Sequence, residues 1–531
     1  MDEAPNISSR KWLAGRLHPF LARQRWFGGK ARAVKSVDIL DVIPMRDDRV
    51  SAGLVLASVK YADQYPEETY AVPLLTSGGA GPVASSMPDS AAQTSALAND
   101  PQLEDALLEA AFLHLLLTAI DRGLAFPGER GEVIARSTSA YRRPAGQPLN
   151  ELRPSVLKVE QSNSSIIFGD QFILKLLRHV GEGVDPEVEI GSFLTERARF
   201  ANVPALMGSI IYRGQTSSRT LGILEAFVPN QGNAWDFTLR ALADYFRGIA
   251  QAEDGALAPL EGREARERFG PREKHSPAMD LLDPYLRAAD VLGRRTAELH
   301  LALSSDHRDP SFAPEPFSDA YRIELQRSVA EQWERVSQLL EGQLGSLGQD
   351  IRERARELPQ RGAVEQRLQA LAKLALDGSL TRIHGDYHLG QVLCSDGDFL
   401  IIDFEGEPAR PPAERRAKHS PLQDVAGMLR SFHYAADRGL REWLRGSQTS
   451  TIVRWPDWAR FWKDRASSRF LGAYLDTVRN SALLPRAPTA AHALLEVYLL
   501  SKATYELGYE LNNRPDWVST PLEGILEILG R

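Results

Sequence analysis

The chain has 531 residues, a length that predicts about two to four domains. Hydrophobic residues make up 43% and charged residues 25%, a balance typical of globular proteins with a buried core. A net charge of −7 and a pI near 6.0 provide no basic field for nucleic acid. We therefore expect a globular protein whose partners are small molecules, without binding to nucleic acid.

Cysteine content and apolar runs predict the compartment. The single cysteine, Cys394, excludes an internal disulfide and a cysteine metal cluster, which favours a reducing environment. Residues 1–5 are acidic and lack the apolar core of a secretory signal. The apolar run Leu107–Ile120 contains Glu109 and His114 and is too short to span a bilayer. We expect a cytoplasmic protein that does not bind membranes.

The first 95 residues are predicted to form a small β-rich cap domain. A helical segment, Lys11–Leu21, precedes two β-type segments, Val34–Pro44 and Val50–Tyr61. The segment 23–30 combines aromatic, cationic and glycine residues. It suits either a contact with phosphate or a partner, or a helix end with its tryptophan packed inward; we favour the second interpretation.

Residues 96–232 are predicted to form a second domain, which begins with a helix and continues with strands. A segment rich in Gly, Ser, Ala and Pro, residues 75–100, is a candidate for a mobile loop, and a helix is expected over Pro101–Ile120. Further on, Lys175 lies within an apolar strand pattern, where a buried ammonium requires an anionic partner. Glu189, in the helical segment that follows, is the first candidate for that partner, and Glu187 is the alternative.

Residues 233–531 are predicted to form a mostly helical lobe. Apolar side chains recur at steps of three and four between Leu282 and Leu303, the pattern of a helix with one buried face. The charged stretch 322–369 is expected to form solvated helices.

The most informative stretch contains two acids with an amide between them. Asp386 lies in a glycine-containing turn, Gln391 follows five residues later, and Asp403 ends the apolar strand Phe399–Ile402. A reversal at residues 396–398 would fold the stretch into a hairpin that brings the acids together. This arrangement suits phosphoryl transfer, because one carboxylate can orient an acceptor hydroxyl while Gln391 and Asp403 supply oxygen ligands to Mg²⁺.

Simpler interpretations of the same residues fit the pattern less well. His384 and His388 are four residues apart, but a zinc pair at that spacing requires a helix, and Gly385 in a turn argues against one. An aspartate in a turn or after a strand is usually only a local cap. The combination of Asp386, Gln391 and Asp403 favours catalysis over either interpretation.

These residues resemble the catalytic block of eukaryotic-like kinases, in the aminoglycoside-phosphotransferase branch. The resemblance implies an α+β, bilobal kinase fold that uses ATP and Mg²⁺, with residues 96–232 as the nucleotide-binding lobe and residues 233–531 as the catalytic and acceptor-binding lobe. It implies Asp386 as the catalytic base and Lys175 at the phosphates. No glycine-rich loop precedes Lys175, so Ser162, Asn163, Ser164 and Ser165 would have to meet the phosphates. Backbone groups near Glu225 and Phe227 would face the adenine.

Longer strings are similar to bacterial maltokinases, which make maltose 1-phosphate from ATP and maltose for the α-glucan (glycogen) pathway. They are segments 384–391, 402–411, 414–416 and 500–517, together with the N-terminal segment 23–30. The resemblance implies maltose as the acceptor. It implies that a sugar would be bound by His388, Glu405, Lys502, Tyr505 and Glu506.

The sequence alone leaves three further functions open. A related kinase for glucosamine would need an acidic cradle for the ammonium, which Glu506 and Glu510 could provide. An aminoglycoside phosphotransferase would need a strongly acidic pocket, and a pseudokinase would serve only as an interaction module. The resemblance also leaves open an association with a trehalose-synthase-like enzyme.

Overall fold

The computed structural model describes residues 10–63, 65–75, 103–144, 147–157, 163–251, 277–358, 362–407, 410–446 and 454–530. The chain divides into two compact units. The first unit comprises Met1–Arg197 and Pro204–Val228, and the second comprises Ala198–Val203 and Pro229–Arg531. The predicted loop at 75–100 lies outside the described residues, apart from its first residue. Among the residues described, no helix is both long and apolar enough to cross a membrane.

The first unit begins with one helix and a three-stranded antiparallel sheet in the order β1-β2-β3. The elements are α1 Arg10–Arg23, β1 Val34–Arg46, β2 Ser51–Tyr61 and β3 Glu68–Leu75. Leu13, Leu17 and Leu21 recur at steps of four along α1, so they share one face, and all three are fully buried. The predicted combination of a helix with a β-rich sheet is confirmed.

The segment between α1 and β1 packs inward, as the favoured interpretation of residues 23–30 predicts. Trp26 is buried in the same apolar cluster as the leucines of α1. The guanidinium of Arg178 lies 4.6 Å from the centre of its ring, within the range of a cation–π contact. The tryptophan is therefore part of the core of this unit.

The remaining strands of the first unit form a larger antiparallel sheet in the order β4-β5-β9-β10-β8-β7-β6. Its strands are β4 Ala125–Pro127, β5 Gly131–Ser137, β6 Pro154–Val156, β7 Asn163–Phe168, β8 Phe172–Leu177, β9 Leu206–Gly214 and β10 Ser218–Ala226. Two helices accompany it, α2 Ala110–Arg122 and α3 Pro186–Ser192, the latter continued by a π-helical turn at Phe193–Ala198.

Helix α2 begins nine residues later than the sequence predicts. The side chain of Asp105 accepts a hydrogen bond from the N–H of Leu107 and caps a separate 3-10 turn at Ala106–Leu108. Glu109 then accepts from the N–H of Ala111 and caps α2 itself. Two successive carboxylate caps therefore break a stretch that looks continuous by composition.

A buried carboxylate joins the two sheets of the first unit. Asp41 on β1 is fully buried and accepts hydrogen bonds from the backbone N–H groups of Glu129 and Arg130 at 3.0 and 3.1 Å. It also accepts from the hydroxyl of Tyr212 at 2.9 Å. Because buried polar groups are costly when unpaired, this carboxylate fixes the small sheet to the β4–β5 turn.

The second unit is mostly helical, as predicted. Its helices are α4 Ala234–Gln251, α5 Pro277–Leu303, α6 Asp319–Gln343, α7 Gln349–Arg356, α8 Gly362–Ala372, α9 Pro412–Arg415, α10 Leu422–Gly446, α11 Trp455–Val478, α12 Pro488–Asn513 and α13 Ser519–Leu529. Two small antiparallel pairs accompany them, β11 Glu315–Pro316 with β12 Ser379–Leu380, and β13 Val392–Ser395 with β14 Asp398–Ile401. The apolar face predicted between Leu282 and Leu303 is buried along α5. The α+β prediction is confirmed, with a β-rich start and a helical C-terminal part.

Removing the buried carboxylate should weaken the first unit strongly. In Asp41→Ala, two backbone N–H groups and the Tyr212 hydroxyl lose their acceptor in a buried place. We expect a loss of unfolding free energy on the order of 3 kcal/mol, measured by urea denaturation.

The matched control is Asp38→Ala, which removes an exposed carboxylate from the same strand. Asp38 pairs with Lys60 at 2.9 Å on the surface, where an ion pair contributes little. Equal losses in the two variants would contradict the anchoring role of Asp41.

Candidate active site

The predicted hairpin is present and its turn explains its shape. Strands β13 and β14 pair from Val392 with Ile401 to Ser395 with Asp398. The two turn residues, Asp396 and Gly397, have φ angles of 48° and 79°. Positive φ at both positions is what a two-residue hairpin turn requires to match the twist of its strands.

The hairpin brings the two predicted metal ligands together. The side-chain amide nitrogen of Gln391 donates to Oδ2 of Asp403 at 2.7 Å. Asp403 itself has a φ angle of 67°, a left-handed conformation that costs about 1 kcal/mol or more for a non-glycine residue. A carboxylate and a side-chain amide carry the oxygen ligands that Mg²⁺ prefers, so the two residue types suit the ion once the amide is turned to present its oxygen in place of its nitrogen.

The predicted base lies beside a lysine from a distant helix. Nζ of Lys502, on α12, is 3.3 Å from Oδ1 of Asp386. Nε2 of His388 lies 4.0 Å from the other carboxylate oxygen. Burial lowers the pKa of Lys502, but Asp386, Glu407 and other carboxylates outweigh it, so the pKa is raised and the ammonium stays charged. Burial lowers the pKa of His388, which keeps that imidazole neutral at pH 7.

A buried aspartate that the sequence analysis did not single out holds the catalytic turn. Asp424, near the start of α10, accepts from the backbone N–H groups of His384 and Gly385 at 2.8 and 2.9 Å. His300 lies 3.0 Å from the same carboxylate. Burial alone would raise the pKa of Asp424, but the bond from His300 and the backbone donors lower it, so the carboxylate stays ionised. An acid in the first turn of a helix is common, so the sequence offers no signal for this role.

A second residue that sequence reasoning missed, Glu407, joins the cluster around Lys502. Its Oε1 is 3.8 Å from Nζ of Lys502, and burial together with this carboxylate raises the pKa of the Tyr505 hydroxyl. Arg410 donates to the other oxygen of Glu407 at 2.7 Å. For Glu405, the predicted substrate residue, the structure shows its backbone carbonyl accepting from Arg415 at 2.9 Å.

The predicted sugar-binding residues of α12 have different environments. The ring of Tyr505 lies 5.1 Å from the ammonium of Lys502. Glu506 is ion-paired with Arg430 of α10 at 2.7 Å. Tyr498, which shares their helical periodicity, is buried and bonds through its hydroxyl to a tyrosine of α6. Only part of the predicted face therefore lies beside Asp386.

In the first unit, Lys175 has an acidic partner, but the contact shown is to the second candidate. Nζ of Lys175 is 2.9 Å from Oε2 of Glu187, in the first turn of α3. The sequence favoured Glu189, two residues further along. The two acids are two positions apart, so they point about 200° apart around the helix. The rotation of α3 about its axis therefore decides which acid faces Lys175, and predicting where the helix begins does not give that rotation.

The residues predicted to replace a glycine-rich loop are partly in a strand. Ser162 lies outside the described residues, whereas Asn163, Ser164 and Ser165 begin strand β7. The hydroxyl of Ser164 accepts from Nε of Arg178 at 3.0 Å, and both serines are buried. These residues therefore pair with β8 as part of a strand, and their predicted contact with the phosphates stays a prediction.

The residues predicted to face adenine lie at the end of a strand. Glu225 is part of strand β10, opposite Ile173 of β8. The N–H of Phe227 donates to the carbonyl of Gln171 at 2.9 Å. That N–H is therefore used within the first unit, and the contact of backbone groups near Glu225 and Phe227 with adenine stays a prediction.

Comparison with known proteins defines the class first. Residues 280–461 match the phosphotransferase enzyme family, and the match includes Asp386, Gln391 and Asp403. The chain is therefore a phosphotransferase of the kinase type. Residues 20–120 match the maltokinase N-terminal cap domain. This combination of domains confirms the resemblance to maltokinases within that kinase superfamily.

Curated relatives include two proteins named glucosamine kinase. The chain is 25% identical to that of Streptacidiphilus jiangxiensis, over 70% of this chain and 72% of the relative. It is 26% identical to that of Mycolicibacterium smegmatis, over 71% and 79% respectively. A solved structure of a glucosamine kinase in complex with glucosamine, ADP and inorganic phosphate covers 99% of each chain, with a TM-score of 0.62 and 19% identity. The predicted kinase fold is confirmed.

Loss of the buried anchor should disable the catalytic turn. In Asp424→Ala, the N–H groups of His384 and Gly385 lose their acceptor, so we expect a loss of about 2–3 kcal/mol in stability and at least a tenfold loss in kcat. The matched control is Glu442→Ala, an exposed acid on the same helix. Thermal unfolding measures stability, and phosphoryl-transfer assays measure kcat, for both variants. Equal losses in Asp424→Ala and Glu442→Ala would contradict the anchoring role of Asp424.

A second prediction concerns acid stability. His419 pairs through its backbone with Thr381, three residues before His384, and its Nδ1 lies 3.1 Å from the hydroxyl of Tyr321. Burial, reinforced by Arg410, lowers the pKa of His419 from 6.5 to about 4. The unfolded chain therefore takes up this proton first, so stability is lost as the pH falls from 6.5 towards 4, by at most about 3 kcal/mol.

The variant His419→Gln should lose less stability than the wild type between pH 7 and pH 4.5. His307→Gln, at an exposed position, is the control and should behave as the wild type does. Urea denaturation at the two pH values measures the difference. An identical acid dependence in His419→Gln and the wild type would contradict the prediction.

Proposed function

We propose that this protein is an ATP-dependent sugar kinase that phosphorylates the anomeric hydroxyl of maltose, giving maltose 1-phosphate and ADP. The observation that carries the proposal is the contact between Lys502 and Asp386. Lys502 lies on the C-terminal helix that resembles maltokinases, and Asp386 lies in the catalytic turn. The maltokinase-type cap supports the same conclusion.

The chemistry follows from the catalytic turn. Asp386 would orient the acceptor hydroxyl and take its proton as the oxygen bonds to the γ-phosphorus, while the bond from that phosphorus to the β–γ bridging oxygen breaks and ADP leaves. Gln391 and Asp403 would hold Mg²⁺, which when bound neutralises charge on the phosphate oxygens. Lys175, oriented by Glu187, would pair with the phosphates of ATP.

The acceptor side suits a neutral sugar. The ring of Tyr505 provides an apolar face for a pyranose, and Lys502 and Glu407 provide a donor and an acceptor for its hydroxyls. His388, neutral beside Asp386, would contribute a further hydrogen bond. Glu405 and Glu506 stay predicted acceptor-site residues, and the ion pair with Arg430 would orient Glu506.

Glucosamine is the second candidate acceptor, since the similar curated proteins and solved structures carry the name glucosamine kinase. Its ammonium would need an uncompensated acidic cradle, for which Glu506 and Glu510 are the sequence candidates. Both acids have cationic partners, Arg430 for Glu506 and Arg514 for Glu510, each at 2.7 Å. Paired carboxylates attract an ammonium less strongly, so maltose is favoured.

An aminoglycoside phosphotransferase and a pseudokinase have less support. The cap domain argues against the first. The presence of Asp386, Gln391 and Asp403 in one stretch, with the last two in contact, argues against the second. A cytoplasmic location, a role in glycogen biosynthesis and an association with a trehalose-synthase-like enzyme stay predictions.

Replacing the proposed base tests the mechanism. Asp386→Asn keeps the size of the side chain but removes the group that accepts the proton. We expect kcat to fall by at least a hundredfold while the affinity for ATP changes little. Steady-state kinetics and nucleotide-binding calorimetry measure the two effects separately, with Asp396→Asn in the hairpin turn as a control. Turnover near the wild-type rate in Asp386→Asn would overturn the assignment.

The acceptor is tested by supplying maltose, glucosamine and kanamycin side by side with ATP. ADP release gives the rates, and phosphorus NMR identifies the phosphorylated position. A product other than an anomeric phosphate of maltose, formed at a higher kcat/KM, would reject maltose as the acceptor.

A further inference from the structure

We propose that Lys502 determines the class of acceptor because its ammonium occupies the place in which the ammonium of an amino sugar would bind. This inference rests on the proposed function, and it assigns the exclusion of amino sugars to one side chain. Glu407 takes part in the same arrangement, because the ammonium of Lys502 contacts its carboxylate as well as that of Asp386.

The contacts around Lys502 support the idea that its ammonium takes the place of a ligand ammonium. Lys502, Asp386, Glu407 and Tyr505 are called the cluster below. Nζ of Lys502 lies 3.3 Å from Asp386 and 3.8 Å from Glu407, so a single ammonium bridges two carboxylates. The ring of Tyr505 lies 5.1 Å from the same nitrogen. Two carboxylates and an aromatic face are also the groups that would recognise a ligand ammonium.

Both carboxylates are held independently of the lysine. Arg410 donates to Glu407 at 2.7 Å, and the side chain of Glu407 is only 9% exposed. Asp386 follows directly on the turn that Asp424 anchors through the N–H groups of His384 and Gly385. Removing the ammonium of Lys502 should therefore leave two carboxylates in place, ready for another cation.

The charges of the cluster explain the direction of selectivity. With Lys502 present, Asp386 and Glu407 are balanced by two cations, Lys502 and Arg410. An amino sugar would add an excess positive charge beside Lys502, whereas a neutral sugar adds none. Without the lysine, the cluster has one negative charge in excess, which the ammonium of an amino sugar would neutralise.

The experiment compares glucose with glucosamine, which differ by one amino group, at a pH where the amine is protonated. Equilibrium binding and kcat/KM are measured for the wild type, for Lys502→Met and for the charge-preserving control Lys502→Arg. We expect Lys502→Met to raise the ratio of glucosamine to glucose at least tenfold. Lys502→Arg should leave the ratio within threefold of the wild type.

Two further variants test the role of Glu407. Glu407→Gln alone leaves a positive excess and should lower the glucosamine-to-glucose ratio below that of the wild type. The double variant Lys502→Met with Glu407→Gln should reverse most of the gain seen in Lys502→Met. Thermal unfolding establishes that each variant is folded, and Glu407→Gln tests the proposal even if Lys502→Met does not fold.

The outcomes separate this inference from the proposed function. If the wild-type enzyme transfers phosphate to neither maltose nor glucosamine, the proposed function is refuted. The ratio of glucosamine binding to glucose binding still tests the role of Lys502 in that case. A ratio in Lys502→Met equal to that of the wild type, or an equal rise in Lys502→Arg, would overturn the inference.

Discussion

The ion pair between Lys502 and Asp386 is the contact on which the proposed acceptor site depends. It joins residues that are 116 positions apart, one on a helix near the end of the chain and one in a glycine turn. Each charge would be unfavourable in this partly buried place without the other. The pair therefore connects α12 to the catalytic turn, whose own position is held by Asp424.

The catalytic turn depends on supporting contacts from other elements. Gly385 has a φ angle of 85° and Asp403 one of 67°, conformations that are strained or reserved for glycine. Such backbone persists only where its surroundings hold it, and here Asp424 binds two successive N–H groups of the turn while Gln391 binds the side chain of Asp403. The tertiary contacts of α10 and the hairpin stabilise a geometry that the local sequence would not adopt alone.

Much of this arrangement could be predicted because its signals are local. The hairpin with Asp396 and Gly397, the buried face of α5 and the inward packing of Trp26 follow from short-range patterns of glycine and apolar residues. Gln391 and Asp403 are only 12 residues apart, so one hairpin is enough to bring them together. Lys502 could be predicted only through the resemblance of its segment to a known family.

The parts that could not be predicted depend on tertiary contacts. Glu407 lies beside Lys502 because Gly406 adopts a φ angle of 73°, a turn of the backbone that the pattern of charges does not encode. The partner of Lys175 depends on the angular phase of α3, and the pairing of Ser164 with β8 is not visible in composition. Asp424 has no distinctive spacing, since its partners are backbone groups 40 residues earlier.

The most direct test of the proposed activity is a crystal structure of the protein with maltose and a non-hydrolysable ATP analogue. We expect the anomeric hydroxyl within hydrogen-bond distance of Asp386, with the sugar in contact with Lys502 and Tyr505. A maltose bound away from Asp386, or a sugar whose nearest hydroxyl to Asp386 is not the anomeric one, would contradict the proposal.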